Sequence, residues 1–166
     1  MNAGSYGTSI EDILIRSQYL DENLNICTLQ KEQHQFGYRT SFFTDKNYVI
    51  LNSTFAFTHG DKSSIKRDML EYARKRKSSQ PLEYPSCGSV FKRPVGHFAG
   101  KLIQDAGLKG YTVNGAQVSE KHAGFIINKG GATSKDILAI IDYIKSVVYN
   151  KYKVNLELEV KIIGEE

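Results

Sequence analysis

No run of apolar residues in these 166 positions approaches the ~20 needed to cross a bilayer, so a helical integral membrane protein is excluded. Cysteine is scarce: Cys27 and Cys87 stand far apart and make neither a disulfide framework nor a zinc-ligand pattern. No internal repeat or low-complexity tract interrupts the chain, and no signal peptide opens it, so a reduced, cytoplasmic setting is the expectation. Charge of one sign is also limited. Lys plus Arg number 22 against 18 Asp plus Glu, a net +4 that favours anionic ligands without demanding nucleic acid.

What is present is an ordinary globular balance, 40% hydrophobic and 24% charged, which argues against disorder and against a coiled coil. The length suits one domain or two small ones. Asp12–Ser17 and Asn23–Thr28 read as short strands about an Asp21-Glu22-Asn23 turn, and Tyr48–Thr58 alternates with a period of two, as a strand does. Ser63 or Ser64 is placed to cap a helix running to about Arg76, with Ile65, Met69, Leu70, Tyr72 and Ala73 as its apolar stripe. Its basic end, Arg74 to Lys77, suits the carbonyl terminus of a helix better than a phosphate site. Ser78-Ser79-Gln80-Pro81 then breaks the helix and marks a domain boundary.

Beyond it, a helix is expected near Phe98–Ala106, stopping at Gly107. A strand pair or turn follows over Gly110–Val118, and then a short apolar strand over Gly124–Asn128. Ser134 is expected to cap a longer helix carrying Ile137, Leu138, Ile141, Ile144, Val147 and Val148. Val154 to Ile162 alternate as a terminal strand with Asn155, Glu157, Glu159 and Lys161 on its polar face. Strands, a helix, then mixed strands and helices give an α+β protein in two small lobes.

Few residues carry obvious chemistry. Gly88-Ser89 lies between Pro85 and Pro94 beside Lys92 and Arg93, where a hydroxyl can donate a proton and the cations can hold an anion. Phe91 breaks the G-x-S-x-G elbow, and from spacing alone a simple turn is the preferred reading. Arg39 sits among Phe36, Tyr38, Phe42 and Phe43. It can be a planar bidentate anchor for a carboxylate or phosphate, or an arginine lying over an aromatic surface, and the residues leave both open. Lys121 and His122 precede an apolar strand, but a lone histidine there is more often structural; His34, His59 and His97 show no partner in the sequence. Glu157 and Glu159 share a polar face and suggest solvation rather than a metal. Unaided, these residues indicate an anionic ligand and no particular reaction.

Six ordered segments say more. They are Met-Asn-Ala-Gly-Ser-Tyr-Gly at 1–7, Phe-Gly-Tyr-Arg-Thr-Ser at 36–41 and the Pro-rich stretch 81–94 containing Pro-Ser-Cys-Gly-Ser-Val-Phe-Lys-Arg-Pro. They continue with 99–110, with Val-Ser-Glu-Lys-His-Ala-Gly-Phe-Ile-Ile-Asn at 118–128, and with 156–164. Together they resemble the UDP-N-acetylenolpyruvoylglucosamine reductase (MurB) family, in its shorter, Gram-positive-like form. The resemblance implies a partial FAD-binding lobe of the vanillyl-alcohol-oxidase-like type over 1–78, a substrate-binding domain over 79–155, and a terminal strand, 156–166, returning to the flavin lobe. It implies a cytoplasmic oxidoreductase of peptidoglycan synthesis, serving cell-wall biogenesis, cell shape and division. Such an enzyme reduces UDP-N-acetylglucosamine enolpyruvate with FAD and NADPH, as a monomer without nucleic-acid or membrane partners.

By the same resemblance, Arg39 holds the enolpyruvyl carboxylate, Ser89 supplies a proton, and Glu159 works with the arginine. Asn2, Ala3, Gly4, Tyr6 and Gly7 line the flavin, while Tyr38, Lys92, Arg93, Lys121 and His122 contact the substrate. Family members carry a glycine-rich pyrophosphate loop ahead of the Asn-Ala-Gly-x-Tyr-Gly segment. Its lack before Met1 raises the expectation of a truncated chain, needing the rest of its flavin lobe. The competing readings are a non-catalytic UDP-sugar-binding fragment without flavin and, on charge alone, a basic RNA-binding domain.

Overall fold

The computed structural model describes residues 1–164, which form two compact units, 1–62 and 63–164. The expected boundary at Ser78–Pro81 therefore lies within the second unit. Residues 165 and 166 of the expected terminal strand lie outside the described residues.

The first unit opens with a small hairpin, β1 (Gly4–Ser5) and β2 (Thr8–Ser9), then one helical turn, α1 (Ile10–Ile13). A three-stranded antiparallel sheet follows: β3 (Leu14–Leu20) lies between β4 (Ile26–Gln30) and β5 (Val49–Phe55). The Asp21 turn forms as expected, because its carboxylate accepts from the Asn23 and Asn25 amides at 2.9 and 2.8 Å. Those bonds also hold the Asp21 carboxyl below the usual carboxylate range, Asn25 contributing most. β5 shows why a period of two does not ensure a buried face. Its register against β3 shifts twice, and six of its seven residues remain exposed. The core here is small and aromatic, with Leu14, Tyr19 and Leu29 buried and Tyr19 packed against Phe42, Phe43 and Tyr48 at 5.0–5.9 Å.

α2 (Lys62–Ser79) opens at the boundary, and all of it but Lys62 belongs to the second unit. Ser63 and Ser64 thus lie inside its first turn rather than capping it. The expected apolar stripe covers nothing: Met69 is 66% and Leu70 63% exposed, and no residue of the helix is buried. Helical spacing established the helix but not a partner for its face.

β6 (Ser86–Ser89), α3 (Ala99–Asp105), β7 (Thr112–Val113), β8 (Ala116–Val118), β9 (Phe125–Asn128) and α4 (Ser134–Tyr152) complete the unit. The antiparallel sheet runs β6-β9-β8-β7. Ser86–Ser89 is therefore an edge strand with a register shift, not the loop that its Gly and Ser content suggested; Gly88 takes a φ of 78° within it. Against the sheet α4 lays Ile140, Ile141, Ile144 and Val148, all buried, and with Leu102, Ile103, Val118 and Ile126 they form the main core. Thr133, one residue before the expected Ser134, caps α4 in a reciprocal box with Asp136 (Thr133 N to Oδ2, 2.8 Å). The alternating C-terminal segment is not a continuous strand. It makes one bridge, Leu158 with Phe91, flanked by Glu159 N to Val90 O and Lys92 N to Glu157 O, each 2.8 Å.

The β7–β8 hairpin turns at Asn114 (φ 47°) and Gly115. A Cβ on Gly115 would overlap the Gly130 carbonyl oxygen and lie 2.5 Å from Ala132 N. Gly115→Ala is therefore expected to destabilise this unit by about 2–3 kcal/mol through forced backbone movement. Urea unfolding measures it; a change below about 0.5 kcal/mol would contradict the close approach.

Candidate active site

In the first unit, the hairpin and the arginine turn come together. Gly37 and Thr40 exchange backbone hydrogen bonds (3.3 and 3.4 Å) and close a two-residue turn over Tyr38 and Arg39. Arg39 takes φ 56° at the position where type II turns ordinarily place glycine, a strain on the order of 1 kcal/mol or more. Its guanidinium lies 5.5 Å from the Tyr38 ring centroid, and its Nε is buried. Asn2 joins this turn to the hairpin: Nδ2 donates to Gly37 O (3.4 Å) and to Glu11 (3.2 Å), while Oδ1 accepts from Glu11 N (3.0 Å).

A cavity of about 500 Å³ lies among Asn2, Gly4, Tyr6, Gly7, Tyr38 and Arg39, with Ser5, Thr8, Ser9, Glu11 and Gly37 completing its wall. Four of the five residues expected to line a flavin thus face the same space as the expected substrate arginine. Ala3 does not line it and instead holds the hairpin base, its carbonyl accepting from Ile10 N at 3.0 Å. Backbone, hydroxyls and an aromatic ring about a space of this size fit the edge of a planar heterocycle.

In the second unit, one peptide organises the rest. Val90 N donates to Gly124 O (2.9 Å) and Val90 O accepts from Glu159 N (2.8 Å). Ser89 lies across the ladder from Phe125 and immediately precedes the residue whose carbonyl holds the Glu159 backbone. Lys92 follows two residues after Val90 and pairs with Glu157 at 3.3 Å; Lys92 is partly and Glu157 largely exposed, so the pair adds little stability. Arg93 lies 4.0 Å over the Phe98 ring. Lys121 meets Glu83 at 3.5 Å and the Lys77 carbonyl at 2.8 Å. Each expected substrate-binding cation therefore has a partner within the chain.

His122 is the most shaped of these residues. Its ring packs edge-on against Phe125 at 4.9 Å, and its Nδ1 accepts from Gly124 N at 3.1 Å, which leaves the proton of the neutral ring on Nε2. A Cβ on Gly100 or Gly124 would come 3.1 or 3.0 Å from its Cε1, so both glycines make room for the imidazole. Ser119 Oγ, buried, accepts from the Lys121 and His122 amides and fixes the loop. Sequence reasoning passed over Ser119, Gly100 and Gly124, which have no chemistry of their own and matter only through the ring they hold. Among the described residues, no group of His, Cys, Asp and Glu is arranged to hold a metal ion. No helix of the described residues is long and apolar enough to cross a membrane.

Burial, and then the charge of Lys109, push the His122 imidazolium below its ordinary value. The unfolded chain therefore binds the proton more readily than the folded one. Stability contributed by neutral His122 is complete above about pH 6.5 and is lost as pH falls through the lowered folded value. His122→Gln is expected to flatten this dependence between about pH 7.5 and 5, measured by urea unfolding at several pH values. An unchanged slope would contradict the assignment.

Comparison with known proteins accords with this arrangement. Residues 80–163 match the family described as UDP-N-acetylenolpyruvoylglucosamine reductase, C-terminal domain. Proteins named UDP-N-acetylenolpyruvoylglucosamine reductase from Caldanaerobacter subterraneus and Clostridium botulinum (Eklund 17B) are 49% and 52% identical to the chain across all its 166 residues, which correspond to 55% of each relative. The chain thus spans about half the length of the curated relatives it matches. The crystal structure of UDP-N-acetylenolpyruvylglucosamine reductase (MurB) from Thermus caldophilus superposes with a TM-score of 0.82 at 33% identity, over 98% of this chain and 58% of that one. With half of its residues matching that C-terminal domain and the fold shared, the chain belongs to the UDP-N-acetylenolpyruvoylglucosamine reductase family.

Proposed function

We propose that this chain carries the substrate-holding and proton-donating side chains of a UDP-N-acetylenolpyruvoylglucosamine reductase, acting in peptidoglycan synthesis in the cytoplasm. The observation that carries the reading is the double pinning of Val90, which fixes the stretch of backbone that Ser89 precedes and Lys92 and Arg93 follow, and bonds it to the Glu159 N–H. The substrate is UDP-N-acetylglucosamine enolpyruvate and the reductant NADPH. The first unit is read as part of an FAD-binding lobe, in which Asn2, Gly4, Tyr6 and Gly7 hold the flavin at the hairpin and Ala3 braces the hairpin base. When bound, the flavin supplies the hydride that NADPH delivers.

The rest is done by the chain's own residues. Arg39 forks onto the substrate carboxylate and stabilises the negative charge that spreads into it when the double bond is reduced. A guanidinium suits this task because it stays charged and presents paired donors in one plane. Ser89 Oγ then gives a proton to the carbon left electron-rich. A serine hydroxyl is too weak an acid to do this in bulk water, so the bound substrate must exclude solvent from it. Glu159, whose backbone is bonded to the Val90 carbonyl, helps to steer that proton. Lys92, Arg93, Lys121 and Nε2 of His122 face the diphosphate and uridine end, where cations and a neutral donor suit an anion.

The test is Ser89→Ala, made in this chain joined to the portion of a relative that it does not span. Reduction of the enolpyruvyl substrate is expected to fall by about 10²–10⁴, the ordinary worth of a positioned acid. Reduction of the flavin by NADPH should be largely unchanged. Stopped-flow absorbance separates the two half-reactions, and an equal loss in both would refute the serine's role.

A further inference from the structure

The Arg39 turn hangs from a buried imidazole. His34 ends the 3₁₀ turn Lys31–His34 and is 1% exposed. Its Nδ1 lies 2.8 Å from the Gln30 carbonyl oxygen. A carbonyl can only accept, so the proton sits on Nδ1; Nε2 of the neutral ring, 3.0 Å from Ser17 Oγ, accepts from that hydroxyl. Ser17, 2% exposed, lies in turn 2.9 Å from Ser53 Oγ. This chain of bonds ties the ring to β3, β4 and β5 at once.

The same residue closes the loop that presents Arg39. The His34 carbonyl accepts from Phe42 N at 2.6 Å, so residues 34 and 42 meet at the base and the Gly37–Thr40 turn forms the tip. The ring also grips both arms: it stacks on Phe36 at 5.1 Å and meets Phe43 edge-on at 5.7 Å. A Ser–His pair elsewhere would suggest a nucleophile. Here both partners are sealed from solvent and no substrate can reach them, which leaves the ring's directional bonds as its use.

We propose that His34 is the positioning residue for Arg39, with Ser17 as its orienting partner: the imidazole fixes the loop so that the strained turn aims the guanidinium. This rests on the reading of Arg39 as a carboxylate anchor. An aliphatic residue in its place would fill the core but have no bonds to set the loop's angle. Displacements near 1 Å at such a site are costly.

The experiment compares affinity for UDP-N-acetylmuramate, which carries the carboxylate, with affinity for UDP-N-acetylglucosamine, which lacks it, by calorimetry on this chain. Their ratio isolates the carboxylate's contribution, expected at about tenfold or more for a charge-assisted pair. Arg39→Ala should abolish the ratio. His34→Phe keeps ring stacking but loses both hydrogen bonds, and should remove most of the ratio while leaving UDP-N-acetylglucosamine binding intact. Ser17→Ala should reduce it in part and Ser17→Thr, which retains the hydroxyl, should restore it. In an Arg39→Ala background neither His34→Phe nor Ser17→Ala should change it further. An unsubstituted chain with no ratio, or an Arg39→Ala variant that keeps one, overturns the anchor reading and this inference with it. A ratio lost in Arg39→Ala but kept in folded His34→Phe and Ser17→Ala overturns this inference alone. Should His34→Phe not fold, the Ser17 pair decides.

Discussion

Val90 is hydrogen-bonded on both edges, its N–H to Gly124 and its carbonyl to Glu159, while its side chain is buried in the main core. That constraint places Ser89, the Glu159 backbone and the His122 loop. Ser89 cannot move along β6 without breaking the bond to Gly124, and Glu159 cannot leave without freeing the Val90 carbonyl. The His122 loop is tied to the same point, since Gly124 gives its carbonyl to Val90 and its N–H to the imidazole. Burying Val90 in an apolar cluster with Ile126, Ile140 and Leu156 makes an unmade backbone bond there expensive. The apolar core thus stabilises the geometry of a polar site on its margin.

The first unit solves a similar problem differently. With three buried apolar residues, it relies on stacked rings and on hydrogen bonds between side chains. His34, Ser17 and Ser53 connect its strands through bonds that are individually modest but sealed from water, so each one lost leaves a buried group unsatisfied. Such a network specifies direction better than a greasy core would, and direction is what a guanidinium at the end of a turn requires. The positive φ of Arg39 is consistent with this: strain of that kind persists where surrounding structure over-determines the backbone.

Apolar patterning was sufficient for α4 and β9, where the apolar residues do face a core, and of the strand pair or turn expected over Gly110–Val118 the structure has the strand pair, the β7–β8 hairpin. It misled in α2, whose apolar stripe is exposed, and in the C-terminal segment, where alternation produced a single bridge. In both, pattern reports what a face would bury if something lay against it and not whether something does. Arg39 and Ser89 stood out by residue type, but spacing left the arginine's role open and favoured a plain turn for the serine. The family resemblance supplied their roles. Gathering four hairpin residues and Arg39 about one cavity depends on Asn2 reaching across 35 positions to Gly37, which no local window contains. His34 was invisible for the same reason: its partners, Ser17 and Phe43, lie on other elements.

The central claim is that the doubly bonded Val90 peptide holds Ser89, the His122 loop and the Glu159 backbone as one ligand site within the second unit. Backbone amide NMR of the isotope-labelled chain titrated with UDP-N-acetylmuramate tests this most directly. Saturable shifts with a common dissociation constant are predicted at Ser89, His122 and Glu159. No shift at Ser89 and His122 at saturation, or unrelated constants among the three, would contradict it.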